Sequence, residues 1–181
     1  MSDPRDELVT HLPAMRAFAL SLARNSAAAD DLVQDSLVKA WSNFDSFQPG
    51  TNMRAWLFTI LRNTYYSLHR KRRREVEDPD GVMAGQLSVK PSHDGSLAMR
   101  DFQVAFMQLN DEQREALTLV GAEGFSYEEA ADMCGCAVGT IKSRTNRARK
   151  RLAELMGMEE NETYEVTDAR TLAVLSGKPA A

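Results

Sequence analysis

Cysteine is nearly missing from this chain: Cys134 and Cys136 are its only two among 181 residues. They sit too close together for an ordinary structural disulfide and are too few for a disulfide scaffold, which fits a reducing compartment. A Cys-x-Cys pair can ligate zinc, but a closed site needs four ligands, and His11, His69 and His93 are scattered through other segments. No metal or other cofactor is expected, and the cysteines read as small apolar residues. Long hydrophobic runs are lacking too. Arg, Asp or Gln breaks every apolar stretch, so nothing approaches the roughly 18 consecutive apolar residues of a membrane span. The opening MSDPRDELVTHL has no basic segment leading into an apolar core, so no signal peptide and a cytoplasmic location are expected. Runs of alternating β-branched residues are missing as well, which excludes a sheet-based fold. Absent, finally, are a P-loop, an H-x-E paired with C-x-x-C, and any dense carboxylate cluster, so no catalytic residue is assigned.

What remains is a chain with 43% hydrophobic residues, enough for one medium domain or two small ones. The formal net charge of -4 argues weakly against nucleic acid until the charges are located. From Ser46 to Arg74 there are seven Lys or Arg and no acid, and from Gly139 to Arg151 six and no acid. Thirteen of the 22 basic residues thus occupy two short windows on an otherwise acidic body. Two local positive faces are the footprint of two separate phosphate contacts.

Apolar residues recur at helical spacing almost throughout, and the expected fold is all-α, as two small helical domains. Leu8 and Leu12 begin the pattern, and Pro13 opens a helix carrying Met15, Phe18, Leu22 and Ala23 on one face. Ser26 is placed as the N-cap of the next helix, with Val33, Leu37, Ala40, Trp41 and Phe44 as its apolar stripe. After the turn-forming Asp45 to Thr51, Asn52 caps a long helix. Its stripe is Met53, Trp56, Leu57, Ile60, Leu61, Thr64 and Leu68, and it runs into the tract His69-Arg70-Lys71-Arg72-Arg73-Arg74. From Glu75 to Ser96 the composition turns to Asp, Pro, Gly and Ser, as a flexible linker would. Domains are therefore expected over residues 1–74 and 97–158, with a linker over 75–96 and a tail over 159–181. In the second domain Phe102, Phe106 and Leu109 share a face, Asn110 caps a helix with Gln113 at N3, and Gly124 ends it.

The sharpest local pattern follows. Ser126 and Glu129 make a capping box, Ala130 and Ala131 let two helices approach closely, and Gly135 permits a tight turn. This is the plan of a helix-turn-helix. In its second helix Val138, Ile141, Thr145, Ala148 and Leu152 form the inward stripe, while Lys142, Ser143, Asn146, Arg147 and Lys150 lie opposite. Arg suits guanine, Asn adenine and Ser either base, and Arg144, Arg149 and Arg151 flank them for phosphates. The long first-domain helix differs in kind. Arg54, Trp56, Arg62, Asn63, Tyr65, Tyr66 and Arg70 interleave aromatics with cations, as binding of single-stranded nucleic acid requires, and Phe47 in the preceding loop adds a stacking or wedge group. The periodicity of Trp56 favours the core over a stacking platform, and Tyr65 and Tyr66 cannot both face inward.

These stretches resemble a known family. DDLVQDSLVKAW (30–41), NMRAWL (52–57), RNT (62–64), GTIKSR (139–144) and RAR (147–149) are similar, in order and spacing, to the extracytoplasmic-function sigma factors of bacterial RNA polymerase. FQPGTNMRAWLFTILRNTYYS and KRRREVEDPDG resemble the alphaproteobacterial general-stress subgroup. The resemblance implies that Asp31, Leu32, Gln34, Asp35, Lys39 and Trp41 dock on the clamp helices of the polymerase β′ subunit. It implies that Phe47, Arg62, Asn63 and the adjoining helix capture the opened minus-ten element, with a flipped base in a pocket. It assigns Thr140, Lys142, Ser143, Arg144, Asn146 and Arg147 to the minus-thirty-five element. Core polymerase, including its β flap, promoter DNA and a small helical anti-sigma factor are the implied partners. Asn146 stands where the family varies, so the promoter preference is this chain's own.

Two other classes are weighed against this. A stand-alone helix-turn-helix regulator would share the C-terminal unit, but such proteins gain affinity by dimerising, and no heptad helix is present. A nucleic-acid-processing enzyme would need a metal site, and Asp30, Asp31 and Asp35 on one helical stretch suit partner contact better.

Overall fold

A computed structural model describes residues 6–76 and 97–157, which fall into two compact units divided near residue 90. The described residues are helical, with no strand among them. In the first unit the helices are α1 (Glu7–Thr10), α2 (Leu12–Ala23), α3 (Ser26–Ser42) and α4 (Met53–Val76), with a 3-10 turn over Phe44–Ser46. Pro13 sits in the first turn of α2, where its missing N–H costs nothing. Arg24 closes that helix in the left-handed region at φ 65°. The cap of α3 is Asn25 rather than Ser26: its side chain accepts from the Ala28 N–H at 2.8 Å, and Ser26 is already helical. Asn52 caps α4 through the Ala55 N–H at 3.1 Å, as expected.

Helices α2, α3 and α4 pack on one another around Met15, Phe18, Leu22, Leu32, Leu57, Phe58 and Leu61. Phe18 and Phe58 stack with centroids 4.9 Å apart, joining α2 to α4. The Arg16–Asp30 pair at 2.7 Å bridges α2 and α3 at the surface. The hydrogen bond and charge of Asp30 hold the guanidinium pKa above its ordinary value, though an exposed pair of this kind stabilises little.

The second unit holds α5 (Leu97–Met107), α6 (Asp111–Leu117), a π-helical turn (Thr118–Ala122), α7 (Tyr127–Cys134) and α8 (Val138–Leu155). Both capping boxes, Asn110 with Gln113 and Ser126 with Glu129, are formed. Gly124 at φ 73° and Gly135 at φ 63° occupy the left-handed region that ends α6's extension and α7. The core joins Ala105, Leu109, Leu117, Ala148 and Leu152, with Phe102, Phe106, Leu155 and Met156 packed against it. Arg114 is fully buried on α6, where its guanidinium donates to the Leu109 carbonyl and, at 2.5 Å, to Asp111 Oδ1. Those bonds are what make a buried cation tolerable. Helix α4 runs through Val76, two residues past the expected domain end. The rest of the expected linker and the tail over 159–181 lie outside the described residues.

Candidate nucleic-acid and partner interfaces

Helix α8 presents the expected faces. Ile141, Thr145, Ala148 and Leu152 are buried; Lys142, Asn146, Arg147 and Lys150 are exposed, and Ser143 is half-buried beside them. Arg147 Nη2 donates to Ser143 Oγ at 3.3 Å, and the Lys142 ammonium stands 5.6 Å from the centroid of the Tyr127 ring on α7. Thr140 is half-buried in the first turn, and its carbonyl accepts from Ser143 Oγ. Arg144, expected to flank these side chains, is half-buried. Its guanidinium pairs with Glu112 on α6 at 2.9 Å and is mostly covered, so it braces α8 against α6. Replacing Arg147 by alanine is expected to weaken duplex binding by about 1 to 3 kcal/mol at the preferred sequence only. Gel-shift titrations on cognate and scrambled duplexes check this, and an equal loss on both would make Arg147 a phosphate contact.

In the first unit a cavity of about 290 Å³ opens between the end of α3, the 3-10 turn and the middle of α4. Lys39, Asn43, Ser46, Trp56, Ile60, Asn63, Thr64 and Ser67 line it. Asn63, a predicted site residue, is in its wall. Phe47, expected to add a stacking or wedge group, is 8% exposed and packs on Phe44 and Trp56 with centroids 5.9 and 5.3 Å away. The loop folds its aromatics onto α4 because apolar rings otherwise left in water cost more than the turn that buries them. Phe47 thus supports the Trp56 wall from behind. Along α4, Arg54 lies over Phe58 at 5.4 Å and Arg62 over Tyr66 at 4.7 Å. Tyr65 stacks edgewise on Tyr66, and both are half-buried. Arg70 is exposed and donates to Ser67 Oγ at 3.4 Å. Asn43, Ser46, Thr64 and Ser67 went unremarked as site residues. Their signal was the i, i+4 spacing of Asn43 to Lys39 and the i, i+3, i+4, i+7 spacing of Ile60, Asn63, Thr64 and Ser67.

On α3, Asp31, Gln34 and Asp35 are exposed, as expected. Trp41 is 56% exposed rather than part of the apolar stripe, because it follows Ala40 by one residue and so points about 100° away from it. Val38, one turn before, is 61% exposed and completes an apolar patch beside the acids. Leu32 is the exception: at 2% exposure it belongs to the core, so its part is to fix α3 in place. Lys39 also leaves this face, reaching across to donate to Thr64 Oγ1 at 3.1 Å. Among the described residues no group of three or more His, Cys, Asp or Glu is placed to hold a metal, and no helix is long and apolar enough to cross a membrane.

Residues 8–75 match the Sigma-70 region 2 family and residues 99–152 match Sigma-70, region 4. The chain is 53% identical over 173 residues, covering 96% of it and 95% of the relative, to the ECF RNA polymerase sigma factor EcfG of Rhodopseudomonas palustris (strain TIE-1). This chain belongs to the extracytoplasmic-function RNA polymerase sigma factors. The sigma factor is similar to the sigma factor RpoE solved with the anti-sigma factor NepR from Bartonella quintana. That match has 55% identity and a TM-score of 0.78, over 86% of this chain and 97% of that one. It is also similar to CnrH solved with the cytosolic domain of CnrY, at 27% identity and a TM-score of 0.59, over 84% and 86% of the two chains. A sigma factor binds core polymerase and directs promoter recognition and opening, so the exposed surfaces above are to be divided among polymerase and DNA.

Proposed function

We propose that this sigma factor works in the cytoplasm, without catalytic chemistry of its own, and divides its task between the two units. Residues 1–74 dock on the polymerase β′ clamp helices through Asp31, Gln34, Asp35, Val38 and Trp41. They also hold the opened minus-ten strand along Arg54, Arg62, Asn63, Tyr65, Tyr66 and Arg70. Residues 97–158 meet the polymerase β flap and read the duplex minus-thirty-five element through Thr140, Lys142, Ser143, Asn146 and Arg147. The observation that supports this most is the cavity at Asn63: it has room for a single planar base, an aromatic wall in Trp56, and polar side chains around its mouth. A stand-alone regulator has no use for such a cavity. Run-off transcription with core polymerase tests the whole reading. Asn63→Ala is expected to lower open-complex formation about tenfold, the effect of losing one good base contact, while leaving duplex binding unchanged. Permanganate footprints identical to those of the unaltered protein would remove Asn63 from strand capture.

Its activity, on this reading, belongs to the general stress response and is set by a small helical anti-sigma factor. The support is the chain's likeness to RpoE, which was solved with NepR, and the acidic body on which a basic or amphipathic helix would lie. Protein isolated from unstressed cells is expected to carry an inhibitor that stops run-off transcription when added back. An inhibitor-free preparation, or added co-purified protein without effect on transcription, would end this idea.

A further inference from the structure

Round α8 the exposed face runs from Lys142 through Asn146 and Lys150 to Arg147, and its edge is formed by Arg151 and Arg144. At about 100° per residue these two arginines lie roughly 20° apart, one above the other along the helix. Each is already paired with a carboxylate. Glu112, in the first turn of α6, stands 2.9 Å from Arg144, and Glu154 accepts from Arg151 Nη1 at 3.3 Å. Among the described residues no carboxylate pairs with Lys142, Arg147 or Lys150. The acids therefore hold the margin of the reading face and leave its middle open.

A carboxylate and a phosphate offer a guanidinium the same target, two oxygens that share a negative charge and fit its forked N–H donors. Both acids also face water, Glu112 being 59% and Glu154 51% exposed. Ion pairs in such surroundings are weak, because solvent screens them and two long side chains must be held still. A duplex brings a row of phosphates, and each contact releases condensed counterions. The balance favours exchange of carboxylate for phosphate once the duplex is seated.

We infer that Glu112 and Glu154 are internal competitors for the phosphates that Arg144 and Arg151 meet, and so hold down the affinity of α8 for duplex DNA of any sequence. This rests on the reading that α8 enters a duplex. A phosphate contact carries no sequence information, so the competition weakens binding to cognate and unrelated duplexes by the same factor. Base contacts from Lys142, Asn146 and Arg147 are untouched, and they carry a larger share of the affinity that remains. The displaced carboxylates also take up cations as the DNA releases its own. Binding is thereby less sensitive to salt than the six cations between Gly139 and Arg151 would make it alone.

The test titrates the full chain by fluorescence anisotropy against a minus-thirty-five duplex and a scrambled one, from about 50 to about 200 mM salt. Glu112→Gln is expected to tighten binding to both by about three- to tenfold at low salt, and to steepen log affinity against log salt by up to about one. Glu154→Gln, which releases the longer pair, is expected to gain about two- to threefold. Glu128→Gln is the control: it removes an exposed acid of α7 that pairs with no cation among the described residues, and should gain less than about twofold. With Arg144→Met already present, the gain from Glu112→Gln should also fall below about twofold, because the arginine it would release is gone. Matching thermal unfolding shows that α6 and α8 remain packed in every variant. Gains that equal the Glu128→Gln control, or that survive Arg144→Met, are a general effect of charge and overturn the proposal. Unchanged or weaker binding by Glu112→Gln makes Arg144 a brace alone, which overturns it too. If Arg147→Ala alters binding to neither duplex, α8 does not enter DNA, and the competition falls with that reading.

Discussion

Asp35→Arg is expected to reduce association with core RNA polymerase by at least about a hundredfold, because a charge reversal inside a complementary interface costs several kcal/mol. Asp35 lies with Asp31 and Gln34 on the exposed face of α3, beside Val38 and Trp41. An acid-rimmed apolar patch is the surface that a basic, partly apolar partner helix would cover, and a large exposed aromatic is the usual anchor of such a contact. Trp41 was read from sequence as part of the buried stripe, where truncation would threaten folding. Its 56% exposure removes that objection, and Trp41→Ala becomes a second clean probe. It is expected to weaken association by about 2 kcal/mol or more with little change in melting temperature. Co-purification of tagged variants with polymerase measures both, and undiminished recovery of Asp35→Arg would take this face out of the interface.

The parts of the molecule legible in sequence are those in which one local pattern decides the outcome. The helix-turn-helix was readable because Ser126 and Glu129 cap α7, Gly135 supplies the left-handed turn, and α8 buries a single narrow stripe. The helix α4 was less so. It packs against both α2 and α3, so its buried face is wider than a stripe, and Phe58 is fully buried although it sits beside Leu57 rather than one turn away. Periodicity tells which side of a helix faces inward but not how far round the burial extends. Leu32 fell to the same limit, since a motif that carries partner contacts also carries the residues that hold them in place. The surroundings of Phe47 and Arg144 were not legible for another reason: the aromatic packs on Trp56 and the guanidinium pairs with Glu112, and neither partner is adjacent in sequence. The burial of Arg114 and the π-helical turn after α6 have no counterpart in the apolar periodicity, which reports neither a buried cation nor a widened helical turn.

Phe58→Ala is expected to destabilise the first unit by about 3 to 5 kcal/mol, the cost of deleting a large buried side chain that cannot be refilled. The ring is fully buried, stacked on Phe18 at 4.9 Å with an interplanar angle of 11°, and the Arg54 guanidinium lies 5.4 Å above it. A unit of this size has a folding free energy at the low end of about 5 to 15 kcal/mol, so most of its margin would be gone. Each kcal/mol moves the melting point of a domain this small by roughly 4 to 8 °C, which puts the expected drop at about 12 °C or more. Core association and strand opening should both be lost at physiological temperature. Duplex binding through Lys142, Asn146 and Arg147 should survive, because the second unit is a compact unit with its own core of Ala105, Leu109, Leu117, Ala148 and Leu152. Phe58→Leu, which refills much of the space, should recover most of the stability and with it polymerase binding. Thermal unfolding followed by circular dichroism, paired with gel shifts on the minus-thirty-five duplex, separates the outcomes. A drop of only a few degrees would mean that Phe18 and Phe58 do not hold α2 to α4. Loss of duplex binding in parallel would mean that the two units do not fold independently.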